Sequence, residues 1–164
     1  MQRKLFNKIR YDNKNEIISK INLISNHNIK IESIIHRKKY LNILKSFLKK
    51  HEKNLTKFIN LEAHKTLDES KNEFSYALEF VDYAISTLSS YQFKKRSSKT
   101  RKIFYKSLGS VFAITPYNDP LAGMIRKIAP SIAAGSTMIM KTSAHCIYLC
   151  KYTVSYTHLT LPTI

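Results

Sequence analysis

Two short clusters hold the side chains best suited to act on a ligand. Thr115-Pro116-Tyr117-Asn118 offers a hydroxyl, a phenol and an amide, and Lys141-Thr142-Ser143-Ala144 an ammonium and two hydroxyls. The Asn118 N–H₂ can donate to an oxygen on which negative charge develops. Asn is equally one of the best helix N-caps, and Asp119 can serve that end too. Lys141 taken alone reads as a solvated lysine at a strand end. A third group, Cys146 and Cys150 beside His145, carries thiols and an imidazole. As a metal site it lacks a fourth ligand and a recognised spacing, so buried reduced thiols are the plainer reading and no metal is assigned.

The elements that must position the first two clusters are legible between Gly109 and Ser143. Val111 to Thr115 is a short apolar run of strand type, stopped by Pro116, which cannot extend a ladder. Pro120 then stands where a missing N–H costs nothing, and Leu121, Met124, Ile125, Ile128 and Ile132 recur at helical spacing. Gly135 is placed to end that helix in a left-handed conformation, and Thr137 to Met140 is a second apolar run ending at Lys141. Strand, crossover helix and strand of this length predict a right-handed parallel βαβ unit. Ligands of such sheets bind beyond the carboxyl ends of the strands, which puts Thr115–Asn118 and Lys141–Ala144 side by side on one rim.

These blocks, ITPYNDP, KIAPSIAAGST and KTSA, resemble the start of the cofactor domain of the aldehyde dehydrogenase superfamily. That family shows I-T-P-W/F-N-x-P, then K-I/L-A/G-P-A-L-A-A-G-N, then K-P-S-E, and the spacing between blocks needs no gap here. The resemblance implies that Asn118 is the oxyanion-stabilising amide. It implies that Ile114, Thr115, Pro116 and Tyr117 line the nicotinamide side of a channel, that Lys141 bonds the adenosine ribose and that Ser143 joins the cofactor shell. Lys127 matches a lysine with a role in water or proton handling, although a surface helix lysine is the plainer reading. Ala144 stands where the family often has a glutamate accepting from ribose hydroxyls. Without that carboxylate nothing repels a 2′-phosphate, so the implied cofactor is NAD or NADP. No G-x-G-x-x-G follows the first strand, and the resembling family binds its cofactor without that fingerprint there. The family's nucleophilic cysteine, general-base glutamate and later G-x-T/S-x-x-G block have no counterpart in this chain.

The expected fold class is therefore α/β: an incomplete Rossmann-like cofactor domain, with the βαβ unit preceded by amphipathic helices and a short N-terminal hairpin. The implied function is that of the N-terminal part of an NAD(P)-dependent aldehyde dehydrogenase oxidising a small aldehyde to a carboxylic acid, with this chain alone inactive. The full-length protein would be a homo-oligomer.

With 164 residues the chain can bury a core. The formal net charge of +17 invites an anionic partner, but the lysines are spread along amphipathic helices rather than gathered in one arm. Nucleic acid is therefore not the expected partner, and no stretch is apolar and long enough to span a bilayer. Two cysteines argue against a disulfide-built secreted domain, and the basic start is not followed by the apolar run of a secretory signal; the expected location is cytoplasmic. A basic helical nucleic-acid-binding module, which leaves the three blocks unexplained, and a non-catalytic interaction protein stay open as alternatives.

In chain order, Arg10–Asn22 suggests a short hairpin or a strand pair, with a polar turn at Asp12–Asn15. Ile35, Tyr40, Leu44, Phe47 and Leu48 form one helical stripe and Leu55, Phe58, Ile59 and Leu61 the next, parted by Lys49, Lys50, His51 and Lys53. Glu62 and Lys65 fall on the family's E-x-G-K, with Ala63 and His64 between them. Thr66-Leu67-Asp68-Glu69 is a capping-box signature, opening a helix with Phe74, Ala77, Leu78, Val81, Ile85 and Leu88 on one face. Tyr91–Thr100 reads as a loop and Arg101–Leu108 as a half-exposed strand, which in the resembling family leads to an oligomerisation sheet. Val154–Thr163 is similar to the translation of a common sequencing adapter. The expected division is thus 1–152 as dehydrogenase and 153–164 as a non-native read-through tail.

Overall fold

A computed structural model describes residues 12–26, 33–89, 96–98, 100–103 and 107–160. Among them run α1 (Lys14–Asn26), α2 (Ile34–Lys50), α3 (Glu52–Ala63), α4 (Leu67–Ser89), β1 (Arg96–Ser97), β2 (Lys102–Ile103), β3 (Ser110–Ile114), α5 (Pro120–Ala134), β4 (Thr137–Lys141) and α6 (Ile147–Thr160). A single 3₁₀ turn, Ala144–Cys146, leads into α6.

The βαβ unit forms as the residue pattern requires. β3 and β4 are parallel, with Ser110 opposite Thr137 and Ile114 opposite Lys141. Gly135 takes φ 68° at the end of α5, its N–H donating to the Ile132 carbonyl at 3.0 Å while the Ser136 N–H reaches Ser131 at 2.9 Å. That left-handed stop turns the chain straight into β4. Ala113 points into the core, whereas Phe112 and Ile114 leave their side of the two-stranded sheet open to solvent.

The core is mainly helical. Leu41, Leu44, Phe47 and Leu48 of α2, Leu55 and Ile59 of α3, and Phe74, Ala77, Val81, Ala84 and Leu88 of α4 join the buried face of α5. The α4–α5 pair packs most extensively. Two expected stripe positions leave the core and one unexpected residue enters it. Ile35 is 78 % exposed in the first turn of α2 and Leu61 is exposed near the end of α3, while Leu41 takes a core place. The capping box forms as expected, the Thr66 N–H donating to Glu69 Oε2 at 2.8 Å and the Glu69 N–H to Thr66 Oγ1 at 3.2 Å. These bonds hold the Glu69 carboxyl below its ordinary range.

The expected N-terminal hairpin is not present: from Lys14 the chain is helical, and residues 10 and 11 lie outside the described residues. The reason is local. The Asn13 N–H donates to Glu16 Oε2 at 2.8 Å and the Glu16 N–H to Asn13 Oδ1 at 3.0 Å, a reciprocal cap that turns Asp12–Asn15 into a helix start. Ile17, Ile18 and Ile21 then share one helical side instead of alternating across a strand, and α1 packs against β4. Arg96–Ser97, expected in a loop, instead pairs antiparallel with Lys102–Ile103.

His64 ends α3 at φ 55°, the only positive φ at a non-glycine among the described residues. A Cβ there meets the following backbone, at a cost glycine does not have. His64→Gly should therefore stabilise the chain by about 1 kcal/mol. A rise in thermal midpoint measures it, and an unchanged or lower midpoint contradicts the strain.

Candidate functional site

The rim is built from the loops that follow β3 and β4. Beyond the Ile114–Lys141 pair the Thr115 N–H donates to the Lys141 carbonyl at 3.1 Å, so the two strand tips are bonded neighbours. Thr115 is buried; Ile114, Pro116, Tyr117, Asn118 and Lys141 are exposed and Ser143 is half-buried. The Ser143 hydroxyl accepts from the His145 N–H at 3.2 Å and caps the 3₁₀ turn. The Tyr117 ring meets His145 edge-on at 5.7 Å, and its carbonyl accepts from Cys146 Sγ at 3.8 Å. All seven rim residues singled out in the sequence thus stand on one edge. Lys127 is exposed on α5.

Asn118 does not cap α5. Asp119 holds the N-cap position, but its carboxylate makes no capping bond. Oδ1 accepts from Lys65 Nζ at 2.6 Å, and Oδ2 from the Asn118 side-chain N–H₂ at 3.2 Å. The cap comes from another helix: Glu73 Oε1 accepts from the Leu121 N–H at 2.7 Å and the Ala122 N–H at 3.1 Å. Its Oε2 accepts from Lys65 Nζ at 2.7 Å, and the Glu73 side chain is only 2 % exposed. Burial pulls the Lys65 ammonium down, but its bonds to Asp119 and Glu73 outweigh that and hold it above its ordinary value. A shallow cleft of about 340 Å³ opens here between Lys65, Asn72, Glu73, Tyr76 and Asp119.

The start of α6 is treated the same way. Glu62 accepts from the Tyr148 N–H at 2.8 Å and the Leu149 N–H at 2.7 Å. Burial raises its carboxyl above the usual range, and the two backbone bonds pull the other way without cancelling it. Both helix starts that open onto the rim therefore carry a protein carboxylate, which satisfies their end N–H groups and the positive end of each dipole. At the far end of α5 the Arg37 guanidinium donates to the Ala133 carbonyl, so that helix is held by opposite charges at its two ends. Glu73 and Arg37 were not singled out from the sequence. For Glu73 a signal existed: it is a carboxylate next to Phe74 on the apolar side of a helix, where a charge must find partners.

Burial pushes the Cys146 thiol up to about 12 and the Cys150 thiol to about 11, the nearby Glu62 charge adding to both. Neither is a nucleophile at neutral pH. We expect thiol-reactive dyes to label them slowly in the folded chain and fast in denaturant; fast labelling of the folded chain contradicts the burial. Among the described residues no three of His, Cys, Asp and Glu gather as a metal would need, and no helix is long and apolar enough to cross a membrane.

Comparison with known proteins agrees with this geometry. The aldehyde dehydrogenase family profile matches residues 25–158. The succinate-semialdehyde dehydrogenase [NADP(+)] GabD of Escherichia coli is 32% identical over 107 residues, 60% of this chain and 21% of its own length. Malonate-semialdehyde dehydrogenase 2 of Shouchella clausii is 31% identical over 126 residues, 74% of this chain and 26% of its own. Among solved structures, glyceraldehyde-3-phosphate dehydrogenase GapN of Methanocaldococcus jannaschii, complexed with NADP, superposes with a TM-score of 0.85 at 24% identity, over 94% of this chain and 35% of that one. The chain thus spans about a quarter of the curated relatives' length. A parallel βαβ unit with bonded strand tips, carried on a helical layer whose carboxylates close the helix starts, and a profile match over most of its length show that this chain belongs to the aldehyde dehydrogenase family.

Proposed function

We propose that this chain is the N-terminal part of an NAD(P)-dependent aldehyde dehydrogenase, supplying the rim against which the dinucleotide lies and one donor of the oxyanion hole. The observation that carries this reading is the pairing of Ile114 with Lys141, continued by the Thr115-to-Lys141 bond. It joins an amide-bearing loop to an ammonium-bearing loop on the edge where parallel sheets bind nucleotides.

The residues present fit a dinucleotide. Lys141 is an exposed cation able to donate to ribose hydroxyls, Ser143 offers a hydroxyl beside it, and Ile114, Pro116 and Tyr117 give an exposed, partly apolar wall. Ala144 puts no carboxylate near the ribose, which leaves room for a 2′-phosphate; the GabD relative is named for NADP(+). When bound, the nicotinamide supplies the hydride acceptor of the oxidation. Asn118, exposed beyond β3, donates an N–H toward the carbonyl oxygen of the aldehyde, where negative charge grows as a thiolate attacks. That thiolate is neither Cys146 nor Cys150, both buried and strongly protonated. In the whole enzyme the nucleophilic thiol therefore comes from outside this chain.

The test is a titration of the ¹⁵N-labelled chain with NAD and with NADP. Backbone amide signals of Thr115, Tyr117 and Lys141–Ser143 should move, and Lys141→Ala should weaken the response several-fold. If neither nucleotide moves them, the rim reading fails. Mixed with a small aldehyde and either nucleotide, the chain alone should form no reduced cofactor; steady turnover would place the nucleophile within it.

A further inference from the structure

We infer that Asp119 and Lys65 are positioning residues, which hold the Asn118 side-chain amide with its N–H₂ turned toward the rim; the catalytic meaning of this rests on the reading of Asn118 as an oxyanion donor.

A side-chain amide can present either its oxygen or its N–H₂ in nearly the same space, and only the latter can serve an oxyanion. Asp119 removes the ambiguity. Its carboxylate accepts only, so the group bonded to Oδ2 at 3.2 Å must be the N–H₂ of Asn118. One N–H is spent on Asp119 and the second stays available.

A free carboxylate next to an oxyanion hole would oppose the charge that the hole stabilises. Lys65 answers this, its Nζ lying 2.6 Å from Asp119 Oδ1 and 2.7 Å from Glu73 Oε2. Asp119 is thereby fixed and its charge partly offset, since the one ammonium is shared with Glu73. Lys65 is in turn anchored by the nearly fully buried Glu73, which is bonded to the first turn of α5. The chain of contacts runs from the helical core through Glu73, Lys65 and Asp119 to Asn118, with no link longer than 3.2 Å. Asp119 occupies the variable x of the I-T-P-W/F-N-x-P pattern, so this device belongs to this chain's own residues and not to that pattern.

The experiment follows the Asn118 side-chain N–H₂ signals of the ¹⁵N-labelled 164-residue chain, assigned by their loss in Asn118→Ala. Asp119→Ala should speed their hydrogen exchange several-fold and draw their two proton shifts toward those of a free asparagine. Lys65→Met should do so in part, and so should Asp119→Asn, because an amide at 119 can turn either its oxygen or its N–H₂ toward Asn118. Signals unchanged in a folded Asp119→Ala chain overturn the inference. Should that variant not fold, the isosteric Asp119→Asn serves instead: the Asn118 pair must move part of the way toward a free asparagine, and a pair that stays fixed in that folded chain overturns the inference. An Asn118 pair that responds in a chain whose rim ignores both nucleotides keeps the clamp and removes the dehydrogenase role. The reverse pattern removes the clamp alone.

Discussion

Replacing Glu73 by alanine is expected to cost about 3–5 kcal/mol, the range for breaking a buried ion pair by removing one partner. Three losses coincide. The Leu121 and Ala122 N–H groups lose their acceptor, the positive end of α5 loses its counter-charge, and Lys65 keeps Asp119 alone. Since a domain of ordinary stability has only about 5–15 kcal/mol in hand, this is a large share of it, and the variant should unfold at a much lower denaturant concentration. Glu73→Gln keeps one acceptor for the backbone but no charge for Lys65, so about 1.5–3 kcal/mol is expected, the range for hydrogen bonds to charged groups. Denaturant midpoints at constant slope separate these cases. A wild-type midpoint for Glu73→Ala would sink the account of how α5 is held.

The same network has a definite pH signature. Lys65 has a higher pKa folded than unfolded. Its contribution is therefore complete below its ordinary 10.5 and lost as pH rises through the folded value. The stability gap between wild type and Lys65→Met should persist across neutral pH and close only in strong alkali.

Ile125→Ala is expected to cost about 2–5 kcal/mol, from lost transfer energy plus the cavity left behind. Ile125 is fully buried on α5, the helix that joins the two strands and packs most extensively on α4. The crossover helix cannot move without moving both strand tips, so this change should also blunt any nucleotide response of the rim. Lys127→Ala, exposed on the same helix, should stay within about 0.5 kcal/mol of wild type. If both variants unfold alike, α5 is not packed as described.

Most of the rim was legible in the residues. Pro116 and Pro120, the spacing of Leu121, Met124, Ile125 and Ile128, and Gly135 each act through local backbone geometry or a single apolar face, and such constraints act without distant partners. The capping box at Thr66–Glu69 is of the same kind. The N-terminal hairpin expectation failed at this local level, because Asn13 and Glu16 have the spacing of a reciprocal cap and the isoleucines after them suit a helix. The swap of Ile35 for Leu41 turned on something else: which side of α2 finds a partner depends on where α4 and α5 lie.

By itself, then, the order of residues determined the strand–helix–strand succession, its direction and the edge on which an amide and an ammonium would meet. Short-range sterics and periodic burial are sufficient for those. Only the tertiary structure decided what holds the site, namely Glu73 on the start of α5, Glu62 on the start of α6, Arg37 at the Ala133 carbonyl and Lys65 between Glu73 and Asp119. These contacts join groups 48 to 96 positions apart in the chain, apart from Lys65 to Glu73. A charge's partner at such separation depends on how whole helices dock, and no local pattern encodes that.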